Sequence, residues 1–278
     1  MQRKFRLGAR CFLAGAVLCA VLFSARMQPQ AMPPLAQPES KGFYFVQISD
    51  THFGVADSEQ RTRQVIQAIN NLPMKIEFVV HTGDVTSERI EDASTVDNAI
   101  ATFKLLKAPI HFIPGNHGIL AQRQETTIQM FKKHFGELIT QKEYGGVVCL
   151  FVYTEPLASE FSVPSYDALK ELEKRLKQSD GKPTIVFHHS PSVEDFYQNQ
   201  MHPGWRTDIQ EQWIALLNKY GVKGVLAGHF HRDEHHWLGN VPLYVCPPAA
   251  GVWGRQAAFR IYEYRAGKIS YRTQYIPS

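Results

Sequence analysis

From Phe43 onward, short apolar runs alternate with longer amphipathic stretches. The runs FYFVQI (43–48), FVVH (78–81), IHFI (110–113), VVCLFVY (147–153), TIVFH (184–188) and VKGVLAG (222–228) are rich in β-branched and aromatic residues. Continuous apolarity over so few residues predicts strands buried on both faces. Between them, residues 59–72, 93–107, 122–134, 165–178 and 208–219 carry helical spacing. In LKELEKRL, for example, Leu169, Leu172 and Leu176 fall on one stripe with charges between them. The tail changes character: PLYVC, AAFRIYEY and KISYRTQYI follow one another as strands. Strands and helices in alternation predict an α/β domain, residues 41–278, with helices covering sheets.

The first forty residues break this pattern. Arg3, Lys4, Arg6 and Arg10 precede an apolar run, Cys11 to Phe23, and a polar, proline-rich stretch follows. A basic segment before a short apolar one predicts an export signal. The run is shorter than the roughly 20 residues of a typical membrane span, and no clean A-x-A cleavage site follows it. Residues 1–25 are therefore expected to be a signal peptide or an N-terminal membrane anchor, and 26–40 a Pro-rich linker. The protein would be exported: periplasmic, secreted or anchored, meeting a membrane only through this segment.

The leader also accounts for the charge. Of 30 Lys+Arg and 26 Asp+Glu, five and one lie before residue 41, leaving 25 of each sign. A formally neutral domain argues against nucleic acid as a partner. Of four cysteines, Cys11 and Cys19 belong to the leader. Cys149 and Cys246 sit in apolar runs and are expected to be buried small hydrophobes.

The strand ends carry the chemistry. FVQISDTHFG ends in Asp50 and His52, FVVHTGD in Asp84, IHFIPGNHG in Asn116 and His117, TIVFHHSP in His188 and His189, and GVLAGHFH in His229 and His231. Sites in open α/β sheets form at the carboxyl ends of strands. Carboxylate, amide and imidazole donors suit Mn, Fe, Zn or Co, not a thiolate-seeking ion. On an extended chain, D-x-H and H-x-H would each place two side chains on one side, so that each pair could grip one ion. A central Asp could then bridge two ions with one carboxylate oxygen each. Two adjacent ions form a clamp suited to in-line displacement at phosphorus.

Five blocks in this order, DTH, GD, GNH, HH and GHFH, resemble the calcineurin-like metallophosphoesterase family. The resemblance implies an α/β fold in which a two-sheet β-sandwich is flanked by helices, with a dinuclear site. It implies that Asp50, His52, Asp84 and His231 hold one ion. Asp84, Asn116, His188 and His229 would hold the other, and His117 would face the substrate as the catalytic histidine. The two ions would activate a water for attack on a phosphomonoester or phosphodiester, of a small molecule or a protein. A nuclease or pyrophosphate-cleaving lipid hydrolase of the same family, and a non-catalytic metal-binding module, are the alternatives. Two departures are visible. Gly118 stands where the family usually has an acid beside the histidine. Ser87 stands where purple acid phosphatases carry a tyrosine ligand.

No Walker-type Gly-rich loop is present. Specificity is expected from the segment Ser192 to Asp208. Pro203 and Gly204 break it, and Tyr197, Trp205 and Arg206 are candidate substrate contacts.

Overall fold

The computed structural model describes residues 42–159, 161–195, 204–251 and 254–277. The leader, the Pro-rich linker and Tyr197 lie outside the described residues. Among the described residues, no helix is long and apolar enough to cross a membrane.

Among the described residues, eleven strands form two mixed sheets. The first has the order β11-β10-β1-β2-β3, from β1 (Phe43–Ile48), β2 (Ile76–His81), β3 (Ile110–Phe112), β10 (Ala258–Arg265) and β11 (Lys268–Tyr275). The second has the order β4-β5-β6-β7-β9-β8, from β4 (Ile139–Tyr144), β5 (Val147–Val152), β6 (Thr184–Phe187), β7 (Gly224–Ala227), β8 (Glu234–Leu238) and β9 (Val241–Val245). β1, β2 and β3 run parallel, as do β5, β6, β7 and β9, with antiparallel strands at the margins.

Side-chain alternation divides the core into layers. Phe43, Phe45, Phe78, Val80, Val147, Cys149, Phe151, Ile185 and Phe187 meet between the sheets. Their alternate neighbours turn outward. Val46, Ile48 and Val79 pack under α1 (Ser58–Asn70) and α2 (Ala93–Phe103). Val148, Leu150, Val152 and Val186 pack against Leu172 and Leu176 of α5 (Ala168–Gln178) and Trp213 and Leu217 of α6 (Thr207–Lys219). α3 (Gln124–His134) closes a smaller cluster through Phe131. Both faces of each sheet are thus covered, which is why the central strands read as unbroken apolar runs.

The expected strands and helices appear with ends shifted by a few residues. β4 and the four-residue α4 (Glu155–Ala158) were not visible in the pattern. β4 is a half-exposed edge strand, ITQKEY, whose polar composition hides it. Beneath the carboxyl ends of the central strands the two sheets are tied by Gln47. Its amide nitrogen donates to Thr82 Oγ1 (2.9 Å) in the first sheet's turn and to the Ala227 carbonyl (2.8 Å) of the second sheet.

Candidate metal centre

The loops that leave β1, β2, β3, β6 and β7 converge above Gln47 and are stitched together by main-chain bonds. Asp50 N–H donates to the Gly83 carbonyl, His52 N–H to Asp84, and Gly228 N–H to His189. Asp50, His52, Asp84, His229 and His231 all have positive φ, between 48° and 67°. A non-glycine residue in this region costs on the order of 1–3 kcal/mol and is concentrated at functional sites. The chain is therefore not extended at D-x-H or H-x-H, yet Asp50 and His52 still enter one donor set, so the two-residue grip holds for D-x-H and fails for H-x-H. His229 and His231 instead enter different donor sets.

The first set is Asp50, His52 and His231, and the second is Asp84, His189 and His229; all six residues are buried. Within each set the donor atoms lie within 4.8 Å of one another. His231 Nε2 is 3.2 Å from Asp50 Oδ1 and 3.3 Å from His52 Nε2. His189 Nε2 is 3.1 Å from Asp84 Oδ2, 3.0 Å from Asn116 Oδ1 and 3.3 Å from His229 Nδ1. Asp84 Oδ2 is also 4.0 Å from His52 Nε2, so one oxygen faces both sets. The other, Oδ1, accepts the His117 N–H at 2.9 Å. The expected division, one oxygen per ion, is replaced by a shared oxygen and a backbone anchor.

The sequence reading placed His188 here, and the geometry corrects it to His189. His189 follows the parity of Ile185 and Phe187 into the space between the sheets. His188 follows Val186 outward, where its ring lies 5.5 Å from Trp205 and 5.3 Å from Trp213. The His188 Nδ1 lies 3.3 Å from Thr154 Oγ1. Burial pushes this imidazole down to about 3. Every residue of TIVF is buried, so alternation in the sequence carried no sign of which face was which.

His189 is also held in the tautomer a ligand needs. Its Nδ1 lies 2.7 Å from the Thr82 carbonyl, which can only accept, so Nδ1 keeps its proton and Nε2 is the nitrogen that faces Asp84, Asn116 and His229. The glycines of the GD and GNH blocks make room for this. Gly83 has φ +107°, and a Cβ there would meet His189 Nδ1 at 2.2 Å. A Cβ on Gly115 would meet Asp84 Oδ1 at 2.2 Å.

Electrostatics favour cation binding. Burial alone would raise both carboxyls, but His231 beside Asp50 and His189 beside Asp84 override it and hold them well below the usual carboxylate range. Burial also opposes charge on His189, yet Asp84 overrides it and pushes that imidazole up to about 10. His52 is pushed down by burial to about 4, against the pull of Asp84 and Asp50. Asp50 Oδ1 is fully buried and aimed at the first set, with His231 Nε2 3.2 Å away but not aligned as a hydrogen bond. A buried carboxylate oxygen left so is costly without a cation. Oxygen and imidazole donors in two sets around one shared carboxylate fit two metal ions of the Mn, Fe, Zn or Co kind.

His117 stands at the mouth. Its side chain is 24% exposed, unlike the buried donors. Gly118 supplies no acid, but the loop after β2 does: Glu88 Oε1 is 3.4 Å from His117 Nδ1, without hydrogen-bond alignment. The Glu88 N–H donates to the His117 carbonyl at 3.1 Å, and Glu88 has φ 58°. Sequence inspection missed this partner because it lies 29 positions away in another block.

The candidate substrate contacts fare differently. Trp205 is 3% exposed, and its Nε1 donates to the Ser190 carbonyl at 2.8 Å, so it anchors its loop within the core and lines no channel. Arg206 is exposed at the start of α6 and pairs with Asp208 at 2.9 Å. Cys149 and Cys246 are free and buried, as expected.

A two-sheet sandwich carrying two buried Asp/His sets at its strand ends defines a metal-dependent phosphoesterase. The chain belongs to the calcineurin-like phosphoesterase family, whose description matches residues 43–233. It is 28% identical to the serine/threonine-protein phosphatase CPPED1 of Danio rerio, over 69% of this chain and 71% of that protein. It is 29% identical to a protein named "Probable glycerophosphodiester phosphodiesterase GpdQ" in Arcobacter nitrofigilis, over 67% of this chain and 71% of that one. Among solved structures it is similar in fold to a dimetal phosphatase from Danio rerio. That match has a TM-score of 0.57 at 14% identity and covers 83% of this chain and 98% of the other. A purple acid phosphatase from yellow lupin aligns with a TM-score of 0.60 at 17% identity, covering 84% of this chain and 52% of the other.

Proposed function

We propose that the chain cleaves phosphomonoesters, including phosphorylated side chains of proteins, with two metal ions held at this centre. Asp50, His52, His231 and Asp84 would hold the first ion, and Asp84, Asn116, His189 and His229 the second. The shared Asp84 Oδ2 is the observation that carries the two-ion reading. When bound, such ions supply an activated water and charge neutralisation at the phosphoryl oxygens. The chain's own part is positional. Asp84 is held by the His117 N–H, His189 by the Thr82 carbonyl, and Asp50 by the His229 N–H at 3.1 Å. The half-buried His117 would face the approaching ester, with Glu88 beside it, to hydrogen bond the leaving oxygen or donate a proton to it. The resemblance to the zebrafish phosphatase supports monoesters. The resemblance to the bacterial phosphodiesterase supports a second reading, diester cleavage at the same centre.

Export through residues 1–25, cleaved or retained as an anchor, belongs to the same proposal and rests on the basic and apolar order of that segment. The deciding experiment reconstitutes purified protein with Mn or Zn, counts bound ions, and assays aryl phosphate, phosphopeptide, diester, lipid and nucleic-acid substrates with and without EDTA. Two ions per chain and EDTA-sensitive turnover of monoesters above diesters are expected. One ion at saturating metal would refute the dinuclear reading, and a preference for diesters would replace the monoester reading.

A further inference from the structure

Glu155 opens α4, and its side chain is 1% exposed. Among the described residues, no lysine or arginine pairs with it. Both oxygens are spent on a single residue: Oε1 accepts the Ser190 N–H at 3.1 Å and Oε2 accepts the Ser190 hydroxyl at 2.8 Å. Ser190 directly follows His189. Its remaining polar group, the carbonyl, accepts from Trp205 Nε1. The carbonyl of His189 itself accepts the Gly228 N–H at 2.9 Å. The backbone that carries the His189 ring is thus fixed from three other segments. Only the Glu155 contact comes from a side chain whose burial is otherwise unfavourable.

A buried carboxyl this close to a donor set, and outside it, calls for a reason. Simple packing does not need one, since an apolar side chain would fill the space at lower cost. The neighbouring pair, His188 and His189, supplies the reason. Two identical side chains in adjacent positions must be sorted, one into the apolar layer and one into the donor set. A slip of one residue would exchange them. The side-chain bonds of Glu155 to Ser190, and that of Thr154 to His188, act on either side of the pair and specify one register.

We propose that Glu155 is a positioning residue for the second metal ion, acting through Ser190 to hold the His189 imidazole in its binding register. The inference rests on the two-ion reading above. Either protonation form of the carboxyl can serve. Burial pushes this carboxyl up from its ordinary value, and a neutral acid would still accept from the amide and donate to the hydroxyl. Glutamine has the same length and can make both contacts, whereas alanine can make neither.

The test is metal titration of the apoprotein with Zn or Mn, followed by calorimetry and by metal analysis after gel filtration. It uses wild type, Glu155→Gln, Glu155→Ala and Ser190→Ala, with circular dichroism to confirm folding. Wild type taking up fewer than two ions would overturn the dinuclear reading itself. With two ions in wild type, Glu155→Ala is expected to weaken one ion by about 10–100-fold, as loss of a partner that orients a ligand commonly does. The other ion should stay within about 3-fold of wild type, and Glu155→Gln should restore the weakened one to within a similar margin. Unchanged affinities in Glu155→Ala, equal weakening of both ions, or a glutamine variant as weak as the alanine would each overturn the positioning role. If Glu155→Ala does not fold, Ser190→Ala decides: selective weakening of one ion supports the role, and two wild-type affinities overturn it.

Discussion

Replacing Gly115 with alanine adds one methyl group to the wall of the second donor set. The new Cβ would sit 2.2 Å from Asp84 Oδ1, 2.7 Å from the Asp84 backbone nitrogen and 2.8 Å from His189 Cδ2. Ordinary contact begins near 3.4 Å, so the nearest atom must retreat by more than 1 Å. No rotamer change suffices, because one of the three atoms is backbone. Asp84 is the residue shared by both sets, and its Oδ1 is tied to the His117 N–H, so its displacement disturbs both donor sets and His117 together. A misplacement of about 1 Å typically costs on the order of 100-fold in rate. The assay is kcat/KM on an aryl phosphate at saturating metal, with bound metal counted in parallel. Gly118→Ala is the control three residues on. Its Cβ would meet only Gly115 N and O, at 3.5 Å, which is ordinary contact. Gly115→Ala is expected to lose about 100-fold or more and Gly118→Ala less than about 3-fold. Equal activity in the two variants would refute the claim that the GNH glycine exists to admit the Asp84 carboxylate.

The two adjacent histidines should separate cleanly: His189→Ala loses one ion, while His188→Ala keeps both and loses stability on the order of 2 kcal/mol in denaturant titration. Metal retention failing in His188→Ala at full folding would restore the original register. His117→Ala should slow poor leaving groups more than nitrophenolates, by about 10²–10⁴-fold, and Glu88→Ala should shift the same leaving-group dependence by less; equal losses on both substrate types would assign His117 to the phosphoryl oxygens. In the metal-free protein His189 is raised to about 10, so at pH 7 it carries a proton that an incoming ion must displace. Metal affinity should therefore climb as pH rises and level off near pH 10, with about one proton released per chain at neutral pH in buffers of different ionisation enthalpy. Affinity independent of pH between 7 and 9 would contradict this.

Much of the fold was legible because its central strands are buried on both faces and its helices present regular stripes. Phe43–Ile48 matches its apolar run residue for residue. The same burial concealed orientation. In TIVF every side chain is inside, so nothing local distinguished the direction of His188 from that of His189. The donor blocks were legible as residue types at strand ends, and the family resemblance sorted them into the two sets that the structure has, apart from His188 in place of His189. Left-handed backbone at His229 and His231 is imposed by tertiary contacts and sends into different sets two side chains that an extended chain would have kept together, whereas Asp50 and His52, also left-handed, stay in one set. Glu88 and Glu155 were invisible for a related reason. Each acts across the fold on a residue remote in sequence, and a lone glutamate between apolar segments carries no signature. Trp205 was misread as a channel wall because loop tryptophans are equally common as anchors, and only its bond to Ser190 decides.

Each donor set draws from both sheets. Asp50 and His52 follow β1 and Asp84 follows β2, in the first sheet, while His189 follows β6 and His229 and His231 follow β7, in the second. An ion held in either set would therefore join the halves of the sandwich as well as supply chemistry. By mass action, a ligand bound only to the folded form at 100 times its dissociation constant adds about 2.7 kcal/mol to the unfolding free energy. Arming the site and locking the two sheets together would then be one event. The unarmed protein would be the looser and more readily degraded one, so that scarcity of metal would lower the amount of protein along with its activity.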